Sequence, residues 1–93
     1  MPYVEMELRD KLASPISTLA ESIVEEYPWW ADAAGALNYA ITCLCLQVMP
    51  DQPHYGDLAT VVGILETAKL EFYRKLAAPY EDKKCAKNGE VYP

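Results

Sequence analysis

The sequence predicts an all-α fold: a small bundle of three main helices plus a short C-terminal helix, in one domain spanning residues 1–93 and assembled as a homo-oligomer. Three observations carry this. Apolar side chains recur at i, i+3, i+4 and i+7 through the long stretches, the period of an amphipathic helix. Turn-forming residues punctuate the chain between them, at Pro28, through Pro50–Gly56 and at Asn88-Gly89. Hydrophobic residues make up 52% of only 93 residues, more than a lone three-helix domain has interior to hide, and joining copies would bury the excess.

The first element is expected from about Ser14 to Tyr27, after an acidic, partly periodic segment from Val4 to Leu12. Ser14-Pro15 reads as an N-cap followed by proline in the first turn. Ile16, Leu19, Ala20, Ile23, Val24 and Tyr27 keep helical spacing, with Glu21, Glu25 and Glu26 on the wet face. Pro28 stops this helix. Trp29 and Trp30 follow, either as packing residues at the boundary or as an exposed contact surface.

The second helix is expected to start near Ala33 to Ala36 and run to about Val48. Leu37, Ile41, Leu44 and Val48 form its main stripe; Tyr39, Cys43 and Leu46 are apolar on the other side, and no charge falls between Asp32 and Asp51. A helix apolar all round spans a membrane or is buried on every side. Gly35, Asn38, Thr42 and Gln47, and the lack of flanking basic residues, favour burial between subunits. Asn38 there needs a hydrogen-bond partner, a neighbouring helix or a ligand.

After a loop holding the single histidine, His54, the third helix is expected over Leu58–Tyr80, with Asp57 as its cap and Pro79 as its end. Its apolar stripe is Leu58, Val61, Val62, Leu65, Phe72 and Leu76, and Glu71 stands one turn before Lys75 as an ion-pair partner. At about 100° per residue, Lys69 falls inside the stripe, flanked by Glu66 and Tyr73. A cation there pairs, snorkels or faces a pocket. Ile64 and Leu70 point off the stripe and suggest a second packing surface. A short helix then runs from Pro79 to Lys87, with Asn88-Gly89 as its stop.

Charge and cysteines narrow the function classes. The net charge is −6: residues 1–50 hold seven acids and two bases, residues 51–93 seven acids and six bases. An acidic chain is a poor binder of duplex nucleic acid, although a local basic cluster still suits a small anion. Cys43, Cys45 and Cys85 complete no zinc pattern, so free thiols in a cytoplasmic protein are expected, and the acidic N-terminus lacks the apolar core of a signal peptide. No nucleophile–base pair, phosphate loop or paired-carboxylate metal motif is visible, so neither an enzyme, a metal nor a cofactor is expected. What remains is an aromatic and basic concentration: Lys69, Tyr73, Arg74, Lys75 and Tyr80. Tyrosine stacks on a base, and the arginine fork and the lysine charge suit phosphate.

The opening MPY, the NYAIT of Asn38–Thr42, and LETAKLEFYRKLAAPYEDKK followed by NGEVYP resemble a family of short phage and prokaryotic proteins that carries a domain of unknown function. Its pattern is GxLNYxIT followed by LExAKLEFYRRxxxPYEDxKxxxNGDVY, which covers most of the chain from Gly35 onward. Lys75 stands where the pattern has a second arginine and Glu90 where it has aspartate. The resemblance implies no activity; it implies a phage-associated helical protein, acting in the host cytoplasm if phage-encoded.

In that setting the leading expectation is an anti-defence protein that sequesters a cyclic or ADP-ribose-type nucleotide at subunit interfaces without catalysis. Lys69, Arg74 and Lys75 would meet phosphate, Tyr39, Tyr73 and Tyr80 would line the pocket, and Asn38 would read a polar edge. The alternative is a protein–protein inhibitor or assembly module that docks its acidic surface on a host protein. A third reading is a nucleotide-degrading enzyme.

Overall fold

The structure is a computed structural model that describes residues 1–93. It is all-helical, with three helices, the last one long: α1 (Met6–Glu26), α2 (Trp30–Val48), and α3 (Tyr55–Phe72), which passes through a π turn (Tyr73–Ala77) directly into α4 (Ala78–Asn88). No helix is long and apolar enough to cross a membrane.

The helix starts differ from those read in the sequence. α1 begins at Met6 with Glu5 in the cap position, and Ser14-Pro15 lies inside it rather than at its head. Proline in a helix interior forfeits one backbone hydrogen bond. Here a stripe of Leu8, Leu12, Ile16, Leu19 and Ile23 runs unbroken across the site, and continuous helix on both sides outweighs that local loss. α2 starts at Trp30, not near Ala33, with Trp29 as its cap residue, and both tryptophans stand exposed. α3 starts at Tyr55. His54 is its cap residue, and Asp57 is the third residue of the helix, its carboxylate accepting the His54 backbone N–H at 2.9 Å.

Pro79 does not end the third helix, and no separate C-terminal helix forms. An α-helix through this region would require residue 79 to donate an N–H to the carbonyl of Lys75, and proline has none. The backbone widens instead, so that Ala78 N–H reaches back to the carbonyl of Tyr73, an i→i+5 bond. Pro79 then sits in the first turn of α4, where the widened turn has already removed the bond that its missing donor would have made. The helix ends at Asn88, and Gly89 takes φ 101°, a conformation that favours glycine at a helix C-terminus.

The helices form an open frame. α1 packs against α2, and the π turn continues the helix on both of its sides. Only Ala33 and Ala40 are buried. On α2 the residues that are not exposed are the small ones, Ala33, Ala36, Ala40 and Cys43, spaced three and four apart, together with Cys45. The main stripe of larger residues read in the sequence is left exposed: Leu37, Ile41, Leu44 and Val48, the last two beside α3. The reason is geometric: small side chains let two helix backbones approach, and α1 settles on that side.

Size measures agree. The radius of gyration is 17.1 Å, against about 12 Å for a compact chain of this length. The accessible surface is 8388 Å², against about 5,400 Å² for a folded monomer of this mass. The chain therefore leaves about 3,000 Å² more surface open than a self-contained domain of its size.

Candidate functional site

The basic and aromatic residues singled out in the sequence fall on the end of α3, the π turn and the start of α4. A π turn adds one residue to the helical repeat, so it rotates the side chains beyond it relative to those before it. Such turns recur at functional sites. Tyr73, Arg74 and Lys75 all lie on it.

Glu71, the residue just before the cap of this turn, is the hub. Its Oε1 accepts a hydrogen bond from the Tyr3 hydroxyl at 2.7 Å and one from Arg74 Nη2 at 2.6 Å. Its side chain is 24% exposed, the least of any ion-paired group in the chain. The Tyr3 hydrogen bond, helped by Arg74, holds the Glu71 carboxyl below the usual carboxylate range. The same bond pushes the Tyr3 phenol above its ordinary value, because ionised Tyr3 would face an anion. The contact latches the N-terminal arm onto the long helix across 68 residues of sequence. The expected Glu71–Lys75 pair gives way to it: Arg74 offers a fork at i+3, and Glu71 is already turned toward the arm.

Tyr73 donates its hydroxyl to Glu81 Oε2 at 2.9 Å, tying the π turn to α4, and that bond raises the Tyr73 phenol. Lys69 pairs with Glu66 at 3.1 Å, as read from their spacing, with both side chains more than half exposed. Lys84 Nζ lies 5.7 Å from the centre of the Tyr80 ring, within cation–π reach. Lys11, Lys69 and Arg74 are ion-paired. Lys75 is not, and it is the cation of the π turn left free for an anion.

Asn38 and Tyr39 stand apart from this cluster, on α2. The Asn38 carbonyl accepts the Thr42 hydroxyl at 3.0 Å while its side chain is exposed, and Tyr39 is exposed, its phenol raised by the Cys43 thiol one turn on. Two concavities stand out from the minor ones. One is an open apolar groove of about 360 Å³ between the end of α2 and the start of α3, lined by Leu44, Val48, Met49, Val61 and Ile64 among others. Ile64, read as pointing off the main stripe, belongs to this groove. The other is a polar cleft between α4 and the C-terminal tail. Neither contains any of the seven residues proposed from the sequence.

That tail folds back on α4. Glu90 Oε1 accepts the backbone N–H groups of Val91 at 2.8 Å and Tyr92 at 2.7 Å, and Glu90 Oε2 accepts the Cys85 thiol at 3.1 Å. The Tyr92 N–H first, then the thiol, lower the Glu90 carboxyl, while Glu90 raises Cys85. Local reading missed Tyr3, Glu71, Glu81 and Glu90 as partners of these groups. Tyr3 lies in the opening MPY, one of the stretches that carry the family resemblance, and that is the one sequence signal pointing to it. No group of three or more histidine, cysteine, aspartate or glutamate side chains is placed to hold a metal.

Fold and cluster together define a small, open, all-helical protein whose N-terminal arm is latched to its longest helix. Residues 1–91 match the family described as Domain of unknown function (DUF6899), and the chain belongs to that family. No curated protein matches it, and no solved structure does.

Proposed function

We propose that this protein is a phage accessory, anti-defence protein of the host cytoplasm that self-assembles and sequesters a small anionic nucleotide, of the cyclic or ADP-ribose type, at its subunit interfaces without catalysis. The observation that carries the reading is the open frame: 8388 Å² of surface, with Leu37, Ile41, Leu44, Val62, Leu65 and Phe72 all exposed. Water-exposed apolar area on this scale is removed by joining copies, since each Å² withdrawn contributes about 25 cal/mol. Neither of the two concavities described above includes any of the seven site residues, and Asn38 and Tyr39 lie on a different helix from the other five, which favours a site built from more than one copy.

In this reading Lys75 supplies a free ammonium to phosphate, and Arg74 shares its fork between Glu71 and the ligand. Tyr73 and Tyr80 offer ring faces on either side, with Lys69 one turn back. Asn38 and Tyr39 come from another copy. The phage setting rests on the resemblance of the C-terminal block to short phage and prokaryotic proteins.

Melting the purified protein against a panel of cyclic and ADP-ribose-type nucleotides tests this. Ligand at 100 times its Kd adds about 2.7 kcal/mol, a shift of several degrees, and Lys75→Glu should abolish it. A panel that moves the melting temperature nowhere overturns the ligand reading. The alternative, a protein–protein inhibitor, is supported by α1: Glu21, Glu25 and Glu26 form no ion pair and give a contiguous acidic face. Salt-sensitive capture of a basic host protein, with no nucleotide effect, would favour it.

A further inference from the structure

We infer that the assembly is built on an antiparallel α3–α3 seam between two copies of this chain, centred on Thr67, with Leu65 of each copy set against Lys69 of the other. This rests on the self-association proposed above but goes further, naming the surface, the partner and its direction.

Along α3 and into the π turn, Leu58, Val62, Leu65, Lys69, Phe72 and Leu76 repeat at steps of four, three, four, three and four. That is the spacing of a coiled-coil seam. At about 100° per residue Leu58, Val62, Leu65, Lys69 and Phe72 fall on one side of α3, centred roughly a quarter of a turn from Asp57, Val61 and Ile64, which face the α2 groove, and Leu76 follows in the π turn. Nothing in the chain covers them. Leu58 and Leu65 are over 40% exposed, and Val62 and Phe72 reach 66%.

Two arguments select a second copy as the occupant. The first is area. Obligate homodimers bury about 1,000–2,500 Å² per partner, and the whole chain leaves about 3,000 Å² open beyond a compact monomer, of which the exposed α3 stripe is one contiguous part. The second is charge. A parallel pairing would stack Lys69 on Lys69 inside an apolar seam. Reversing one helix sets Leu58 against Leu76, Val62 against Phe72 and Leu65 against Lys69. Each Lys69 then lies beside Glu66 of both copies, and the four charges about the two-fold axis sum to zero. The Glu66–Lys69 contact at 3.1 Å already shows the two groups within reach. A single polar residue in such a seam fixes register at some cost in stability. The same reversal carries the π turn of one copy to the first turns of α3 in the other, so Lys75 approaches the second copy's α2–α3 groove.

Mixing two charge variants tests the seam. Lys69→Glu alone would gather four glutamates at the axis, and Glu66→Lys alone four lysines; each should dissociate at least tenfold more readily than the wild type. Mixed in equal amounts, they should recover the wild-type mass by light scattering. A contact within one chain could not be rescued by mixing. Disulfide trapping supplies a second measurement, in a background where Cys43, Cys45 and Cys85 are serine. Val62→Cys with Phe72→Cys in one chain should give a covalent dimer on oxidation, since ten residues of helix separate the two thiols by about 15 Å and preclude a bridge within the chain. Val62→Cys alone should not. No rescue on mixing together with no covalent dimer overturns the seam, as does equal trapping by Val62→Cys alone. A wild type that is monomeric at micromolar concentration overturns it with the self-association reading. None of these measurements involves a nucleotide, so the seam and the ligand reading fail separately.

Discussion

The α1–α2 pair and the long helix from Tyr55 to Asn88 use the same residue types to opposite ends. The pair is held within the chain, and it buries small side chains: Ala33 and Ala40 are the only buried residues. The long helix has no buried residue, and what ties it down is polar, the Tyr3–Glu71–Arg74 latch and the Tyr73–Glu81 bond. The contrast teaches that intramolecular packing here is done by the residues least able to release free energy on burial. The large apolar residues of both regions are left over, and burial of a leucine or phenylalanine is worth about 1.5–3 kcal/mol each. Exposed as they are, these side chains release none of that free energy within the chain.

Four experiments break or sharpen the comparison, each at fixed protein concentration because the self-association proposed above would make melting concentration-dependent. The largest effect is expected in the long helix. Pro79→Ala restores the N–H that an α-helix needs, so the π turn should anneal to α and stability rise by up to about 3 kcal/mol. Hydrogen exchange at residues 73–80 would record the change, and nucleotide-induced stabilisation should fall as Tyr73, Arg74 and Lys75 rotate. In the packed pair the sign reverses: Ala40→Leu should overpack the α1–α2 contact and lower stability by about 1–3 kcal/mol in urea unfolding. Next, Gly63→Ala adds a methyl where nothing lies within 4 Å, and should stabilise α3 by about 0.5–1 kcal/mol. The unequal outcomes of the two small-to-larger changes would measure how differently the two regions are packed.

The smallest effect concerns the latch, and it is a matter of pH. The folded Glu71 carboxyl is held below its ordinary value, so its contribution is complete above the ordinary carboxylate range. It is lost as the pH falls from that range through the depressed value. Tyr3 is raised, so its contribution is complete below the ordinary phenol range and is lost as the pH rises through the elevated value. Protection of the amides of residues 3–5, measured relative to their intrinsic exchange rates, should therefore be greatest between these limits and fall toward both, and Tyr3→Phe should remove the dependence at both ends. An arm whose exchange is indifferent to Tyr3→Phe would show that the latch does not hold it.

Much of this was legible locally. The breaks at Pro28 and Pro50–Gly56 and the stop at Gly89 follow from the conformational limits of proline and glycine, and the Glu66–Lys69 pair follows from helical spacing. Pro15 and Pro79 were not legible, because a proline reads as a boundary unless the backbone around it is known: one sits mid-helix and the other is absorbed by a π turn. The site was legible only as a list. Lys69, Tyr73, Arg74, Lys75 and Tyr80 come on one continuous helix, but Asn38 and Tyr39 are on another that does not meet it closely.

By itself the sequence determined an all-helical chain with three apolar-striped helices, because side-chain period and backbone stereochemistry act over a few residues. Only the tertiary structure decided which stripe each helix spends on its own chain. It chose the alanine side of α2 over the leucine side, and Tyr3 over Lys75 as the partner of Glu71. Those choices depend on how closely two backbones can approach, and on which groups meet across 68 residues of chain, neither of which any local spacing encodes.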